Sequence, residues 1–338
     1  MKYRRLLITG GAGFIGSELV RQAAAQGAHI TVVDNLVNGR RENLTGLSAD
    51  QVRLHESDIR DISRMRSLMR GVDAVCHLAC LGVRHSIHAP EENHAVNATG
   101  TLQLLETARA SGIQRFIHIS SSEIYGTARW VPMTEEHPAY PNTVYGSSKL
   151  AGECYARAYY ETYRFPTVVI RPFNTFGPHC HHEGDSGEVI PKFLLRSMAG
   201  LPMVIFGNGT QTRDFTYVTD IAMGILLAGF ADESIGQTIN LGSGRETSIN
   251  ELAGEIARTI YQPRPSVTRG NPRPGDVLRL CADISKARQL CGYAPTVPLH
   301  EGLAKLKDWY LSLGRSVEEL LEQELVENWG QGGSTVNG

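Results

Sequence analysis

The chain has 338 residues, 41% of them hydrophobic and 20% charged, with 33 basic side chains against 35 acidic ones and a net charge of −2. This suits one large α/β unit or two lobes with ample core. It gives no basic patch for nucleic acid and no apolar run long enough for a membrane span.

In chain order, Met1–Arg5 is too short for a signal peptide. Leu6-Leu7-Ile8-Thr9 reads as a short buried strand. It runs into Gly10-Gly11-Ala12-Gly13-Phe14-Ile15-Gly16 and then into the helix-forming run from Ser17 to Ala25. A second apolar strand, Ile30–Val33, ends at Asp34. Strand, glycine turn, helix, strand and acid in this order form a dinucleotide-binding arrangement. Gly10 permits the tight turn, Gly13 lets the backbone approach a pyrophosphate, and Gly16 allows close helix–sheet packing. The helix N-terminus offers free N–H groups to the phosphates. Asp34 can accept from both adenosine ribose hydroxyls and would repel a 2′-phosphate, which favours NAD over NADP.

Farther along, Asp58-Ile59 ends a third strand, and His77-Leu78-Ala79-Cys80 forms a turn after a fourth. Phe116–Ile119 makes a fifth, closed by Ser120, Ser121 and Ser122. Tyr145 and Lys149 follow in Tyr145-Gly146-Ser147-Ser148-Lys149. Four residues apart on a helix, they project from one face about 5–6 Å apart at Cβ. A phenol titrates near pH ~10, and an ammonium or a cationic ring beside it favours the phenolate. Strand and helix patterns alternate to about residue 170, which predicts a doubly wound parallel sheet with ligands at its carboxyl edge. Beyond that the pattern breaks up. A short strand at Met203–Phe206 and a helix at Ile249–Ile260 stand among frequent prolines and glycines. The six cysteines are scattered, without disulfide or zinc spacing, so a reducing cytoplasm is expected.

The Gly-x-x-Gly-x-x-Gly turn with the Tyr145/Lys149 pair resembles the extended short-chain dehydrogenase/reductase family, and within it the NAD-dependent nucleotide-sugar epimerases and dehydratases. The resemblance covers roughly residues 3 to 310. It implies a Rossmann-type NAD-binding domain over 1–175 and a smaller substrate-binding lobe mainly over 176–325, discontinuous with segments returning to the sheet. Residues 326–338 are expected to be a flexible tail. On the family pattern, NAD is held by Gly10, Gly13, Phe14, Ile15, Asp34, Asn35, Asp58, Ile59, Leu78, Ala79, Asn97 and Pro172, together with Tyr145 and Lys149. Cys80 departs from the pattern, standing where alanine is usual. Ser86, Ser122, Asn174, Val189, Arg213 and Arg273 are implied to meet a nucleotide-diphosphate sugar.

The resemblance makes Ser121, Tyr145 and Lys149 catalytic. Tyr145 would take the C4 hydroxyl proton while the C4 hydride passes to NAD, leaving a 4-keto sugar. Returning the hydride to the opposite face gives a 4-epimerase, the favoured outcome. Glu123, in Ser121-Ser122-Glu123, stands where dehydratases carry their C5 base, so a 4,6-dehydratase or a decarboxylase stays open. A non-catalytic nucleotide-binding protein and an NADP-dependent carbonyl reductase are the rivals from other classes. His179-Cys180-His181-His182-Glu183 looks like a metal cluster, but neighbouring ligands cannot all face one ion, and no metal is expected. His85 and His88 are either sugar contacts or a solvent-facing helix start. A homodimer is expected through the Tyr145 helix and the one near Thr101–Ala110.

Overall fold

The computed structural model describes residues 3–184, 186–273 and 275–329. Its strands, in chain order, begin with β1 (Arg5–Thr9), β2 (His29–Asp34), β3 (Val52–Glu56), β4 (Ala74–His77), β5 (Arg115–Ile119) and β6 (Thr167–Pro172). There follow β7 (Asn174–Phe176), β8 (Met203–Phe206), β9 (Thr212–Tyr217), β10 (Thr238–Leu241), β11 (Glu246–Ser248) and β12 (Val267–Gly270). Seven of them form one parallel sheet in the order β10-β6-β5-β4-β1-β2-β3. The strand order reverses between β1 and β4, and there the crevice for a ligand opens.

Side chains alternate across the sheet with the strand period of two. Leu6 and Ile8 of β1 join Leu19, Val20 and Ile225 beneath the helices Phe14–Ala25 and Val218–Phe230. Leu7 points the other way, into a core with Leu104, Leu105, Phe116 and Ala156 under the helices Thr101–Ala110 and Val144–Tyr163. Both faces are covered, so the strands read as continuous apolar runs.

The sheet does not stop at residue 175. β10 pairs with β6 from Thr238↔Val169 to Leu241↔Pro172. The helix Val218–Phe230 also comes back to pack on Phe14–Ala25. The smaller lobe holds the ladder β11-β9-β7, the pair β12-β8, and a core including Leu194, Ile205, Leu252, Ile256 and Leu306.

Two boundaries differ from expectation. β3 ends at Glu56, which leaves Asp58 and Ile59 in the loop after it. Val326–Trp329 are no free tail: Asn328 is buried and its Nδ2 donates to the Gly187 carbonyl at 3.0 Å, while the Trp329 ring lies 4.5 Å from that of Phe206. Residues 330–338 lie outside the described residues.

Candidate active site

One cavity of about 770 Å³ runs along the carboxyl edge of the sheet and beneath the smaller lobe. One arm starts at the glycine turn. Gly10 has φ +70°, and a Cβ there would stand 2.7 Å from the Ala79 nitrogen. A Cβ on Gly16 would lie 2.0 Å from the Gly10 carbonyl oxygen, so the helix can start this close only without a side chain. Gly13 caps that helix without using a side chain, so its first N–H groups are left to a ligand. Asp34 lines the same arm. Its Oδ2 accepts from the Ala12 N–H at 3.0 Å and its Oδ1 from the Leu36 N–H at 2.9 Å. Burial raises its pKa and these two bonds oppose the rise. The Asp58 carboxylate is held low by Arg60, which binds it through Nε at 2.9 Å and Nη2 at 2.7 Å. A cradle a Cβ would fill, free amides and a ribose-facing acid together fit a dinucleotide.

At the junction of the arms stand Ser121, Tyr145 and Lys149. Thr143 caps the helix Val144–Tyr163 by accepting from the Gly146 N–H at 3.1 Å, which fixes the turn that carries Tyr145. Gly152 lets this helix lie against His118 of β5, where a Cβ would come within 2.8 Å of the ring. The Ser121 side chain favours the Tyr145 phenolate, and the Ser121 Oγ accepts from the Glu123 N–H at 3.2 Å. Lys149 is buried and donates to the Ile119 carbonyl at 2.5 Å.

Burial pushes the Tyr145 phenol well above its ordinary pKa, with Cys80, Glu123 and Glu188 acting in the same direction and Ser121 opposing. Burial lowers the pKa of Lys149 itself, while Cys80 and Glu153 support its charge.

The second arm is lined by Asn174, Val189, Lys192, Arg213 and Arg273. Arg213 and Arg273 share one carboxylate oxygen, Asp276 Oδ1, at 2.7 and 2.6 Å. The buried Asn174 Oδ1 has no protein partner.

Of the residues assigned above to catalysis, NAD or the nucleotide-diphosphate sugar, all but Ser86 and Asn97 line this cavity. Ser86 is buried and donates its hydroxyl to the Val83 carbonyl at 2.6 Å, because a serine three residues into a turn closes that local bond first. Asn97 is also buried. It clamps the Leu81 backbone, accepting from its N–H at 2.9 Å and donating to its carbonyl at 2.8 Å, so it positions the post-β4 turn and does not touch the cavity. His85 reaches the cavity; His88 packs its ring 5.1 Å from that of His85. In the histidine-rich loop Glu183 engages His182 at 3.2 Å and His181 at 3.7 Å, and pairs with Arg40. No three His, Cys, Asp or Glu among the described residues are grouped to hold a metal.

Arg84, Glu188 and Asp276 also line the cavity, and Glu188 has a pKa raised by burial against the pull of His181 and Arg84. Below the junction, Glu153 accepts from Ser120 Oγ at 2.5 Å and from Arg171 at 2.9 and 2.7 Å, a buried pair that ties the helix to β6.

A parallel sheet with a glycine-cradled switch point and a Ser-Tyr-Lys group at its carboxyl edge defines an extended short-chain dehydrogenase/reductase. The sequence profile described as GDP-mannose 4,6 dehydratase matches residues 7–306, and the chain belongs to that NAD-dependent epimerase/dehydratase family. It is 36% identical over 310 residues to a UDP-glucose 4-epimerase of Mycolicibacterium smegmatis, covering 90% of this chain and 98% of that one. The crystal structure of DesIV, a dTDP-glucose 4,6-dehydratase from Streptomyces venezuelae with NAD bound, superposes with a TM-score of 0.86 at 34% identity, covering 91% of this chain and 97% of that one. The epimerase Mth375 of Methanothermobacter thermautotrophicus gives a TM-score of 0.88 at 34% identity, covering 94% and 96%.

Proposed function

We propose that this protein is an NAD-dependent nucleotide-sugar 4-epimerase. The observation that supports the reading is one cavity lined both by the glycine turn with Asp34 and by Arg213 and Arg273, with Tyr145, Ser121 and Lys149 in its wall. When bound, NAD supplies the acceptor and later donor of the C4 hydride, together with a positive ring beside Tyr145.

Ser121 and Tyr145, which line the same cavity, converge on the C4 hydroxyl. Tyr145 takes its proton as the C4–H bond breaks, leaving a 4-keto sugar, and gives the proton back when the hydride returns to the other face. Lys149, fixed by the Ile119 carbonyl, orients the ribose of the cofactor. Asn174, with its buried unpartnered Oδ1, binds the substrate, and Arg213 and Arg273 take the diphosphate in their planar forks.

Epimerisation needs only one proton-transfer group. Elimination across C5 and C6 needs a base and an acid, and the residue before Glu123 is Ser122, a buried hydroxyl. The presence of Glu123 in the same cavity wall as Tyr145 favours a second reading, 4,6-dehydration with Glu123 as C5 base. Incubation with a panel of UDP-, dTDP- and GDP-sugars, followed by mass and proton NMR, tests both. Unchanged mass with inversion at C4 is expected, and Glu123→Gln is expected to retain it. Loss of water, abolished in Glu123→Gln, would replace the epimerase by the dehydratase.

The reading includes a cytoplasmic homodimer. All six cysteines are unpaired, which supports a reducing compartment. Leu102 and Tyr163, on the helices Thr101–Ala110 and Val144–Tyr163, are exposed apolar residues that a partner copy would cover. No helix among the described residues is long and apolar enough to cross a membrane.

A further inference from the structure

The family profile ends at residue 306, but the chain goes on. After the short helix Val317–Leu321 it returns over the second arm as a strap from Gln323 to Trp329. The strap is tied at four points. The Gly184 N–H donates to the Gln323 carbonyl at 2.9 Å, and Arg196 pairs with Glu324 at 2.9 Å. Lys192 Nζ donates to the Leu325 carbonyl at 2.5 Å, and Asn328 is bonded to Gly187 at 3.0 Å. Glu324, Val326, Asn328 and Trp329 line the same cavity as Tyr145.

At the end of this strap the Trp329 ring meets Phe206 edge to face, with centroids 4.5 Å apart and planes at 83°. Phe206 is the last residue of β8, and its carbonyl accepts from Gln211 Nε2 at 2.9 Å, which steadies the corner. Two aromatic faces at right angles form a corner for a flat ring, one stacking on it and the other meeting its edge. Lys192, Arg213 and Arg273 line the same arm and supply the charge that a diphosphate attached to such a ring requires.

We propose that the strap Glu324–Trp329 completes the nucleobase subsite, with Trp329 stacking on the base of a nucleoside diphosphate. The inference rests on the nucleotide-sugar reading and adds to it the element that holds the base. A stacked base is worth about 1–3 kcal/mol by alanine substitution, so truncation of Trp329 is expected to weaken binding about tenfold, the equivalent of ~1.4 kcal/mol.

The test uses the full-length, NAD-loaded protein and calorimetric titration with UDP, dTDP, GDP and, as a probe without a base, inorganic pyrophosphate. Trp329→Ala is expected to weaken UDP and dTDP about tenfold while leaving pyrophosphate and bound NAD as in the wild type. Trp329→Phe, which keeps a stacking face and secures a folded variant, is expected to bind UDP near the wild-type level and to lose the UDP-induced quench of indole fluorescence. Wild-type affinity for UDP in Trp329→Ala, an equal loss for pyrophosphate, or a quench that persists in Trp329→Phe would each overturn the strap's role. A wild-type protein that binds none of UDP, dTDP and GDP would overturn the nucleotide-sugar reading itself, and the subsite with it.

Discussion

Replacing Glu153 by glutamine probes the platform on which the catalytic group stands. Glu153 is fully buried, and its two oxygens receive Arg171 Nε and Nη2 at 2.9 and 2.7 Å. The remaining Arg171 donor, Nη1, goes to the Tyr125 hydroxyl at 2.7 Å and the Glu135 carbonyl at 3.0 Å, so these neutral partners survive the substitution. The amide keeps one acceptor but turns an NH2 group toward a guanidinium N–H and removes the countercharge. Breaking a buried pair from one side costs about 3–5 kcal/mol, and the surviving partners place this case near ~3 kcal/mol. For a chain of 338 residues the unfolding entropy gives about 1.4 °C per kcal/mol, so thermal unfolding is expected to shift down by roughly 4 °C. A second effect has a definite sign. Burial already depresses the Lys149 pKa, and the Glu153 charge opposes that. Without it the ammonium is lost at lower pH, so the alkaline limb of the kcat/KM profile moves to lower pH. Calorimetry and a pH–rate profile measure both effects. The double variant Glu153→Leu/Arg171→Met removes both charges and is expected to recover much of the stability. An unfolding temperature and an alkaline limb that both stay at wild-type values would refute the reasoning.

Two further outcomes follow from the site. Tyr145→Phe is expected to lower kcat by ~10²–10⁴, the range for a positioned proton-transfer group, with NAD still bound by absorbance; unimpaired turnover would remove Tyr145 from its role. In Gly16→Ala the new Cβ would lie 2.0 Å from the Gly10 carbonyl oxygen, so turn and helix must separate and NAD retention through gel filtration is expected to be lost. Retention at the wild-type level would mean that the cradle does not hold the cofactor.

The parts of the fold legible in the sequence are those written locally. The glycine turn from Gly10 to Gly16, with its flanking strands and Asp34, lies within one short βαβ unit, where a period of two and the glycine spacing read directly. Tyr145 and Lys149 share one helix, so their spacing alone puts them on one face. The smaller lobe was not legible in this way. The four residues Thr238–Leu241 return to β6 across dozens of intervening positions, and a strand of four residues, two polar and two apolar, carries no mark of its partner. The Glu153–Arg171 pair likewise joins a helix to a strand through a contact that no periodicity encodes. Family position brought Ser86 and Asn97 close to the cavity but could not tell where their polar atoms point. A hydroxyl takes the nearest carbonyl and an amide takes the nearest backbone pair, and both choices depend on turn geometry.

Asp276 gives the two guanidiniums of Arg213 and Arg273 a common resident anion, so the trio carries one surplus positive charge and is already organised before any ligand arrives. An incoming anion has to outbid a carboxylate that serves both forks from one oxygen. A monovalent ion offers no advantage over that arrangement, whereas a pyrophosphate link can reach both forks at once. On the nucleotide-sugar reading proposed above, the arrangement selects by valence, favouring a pyrophosphate link over common monovalent anions.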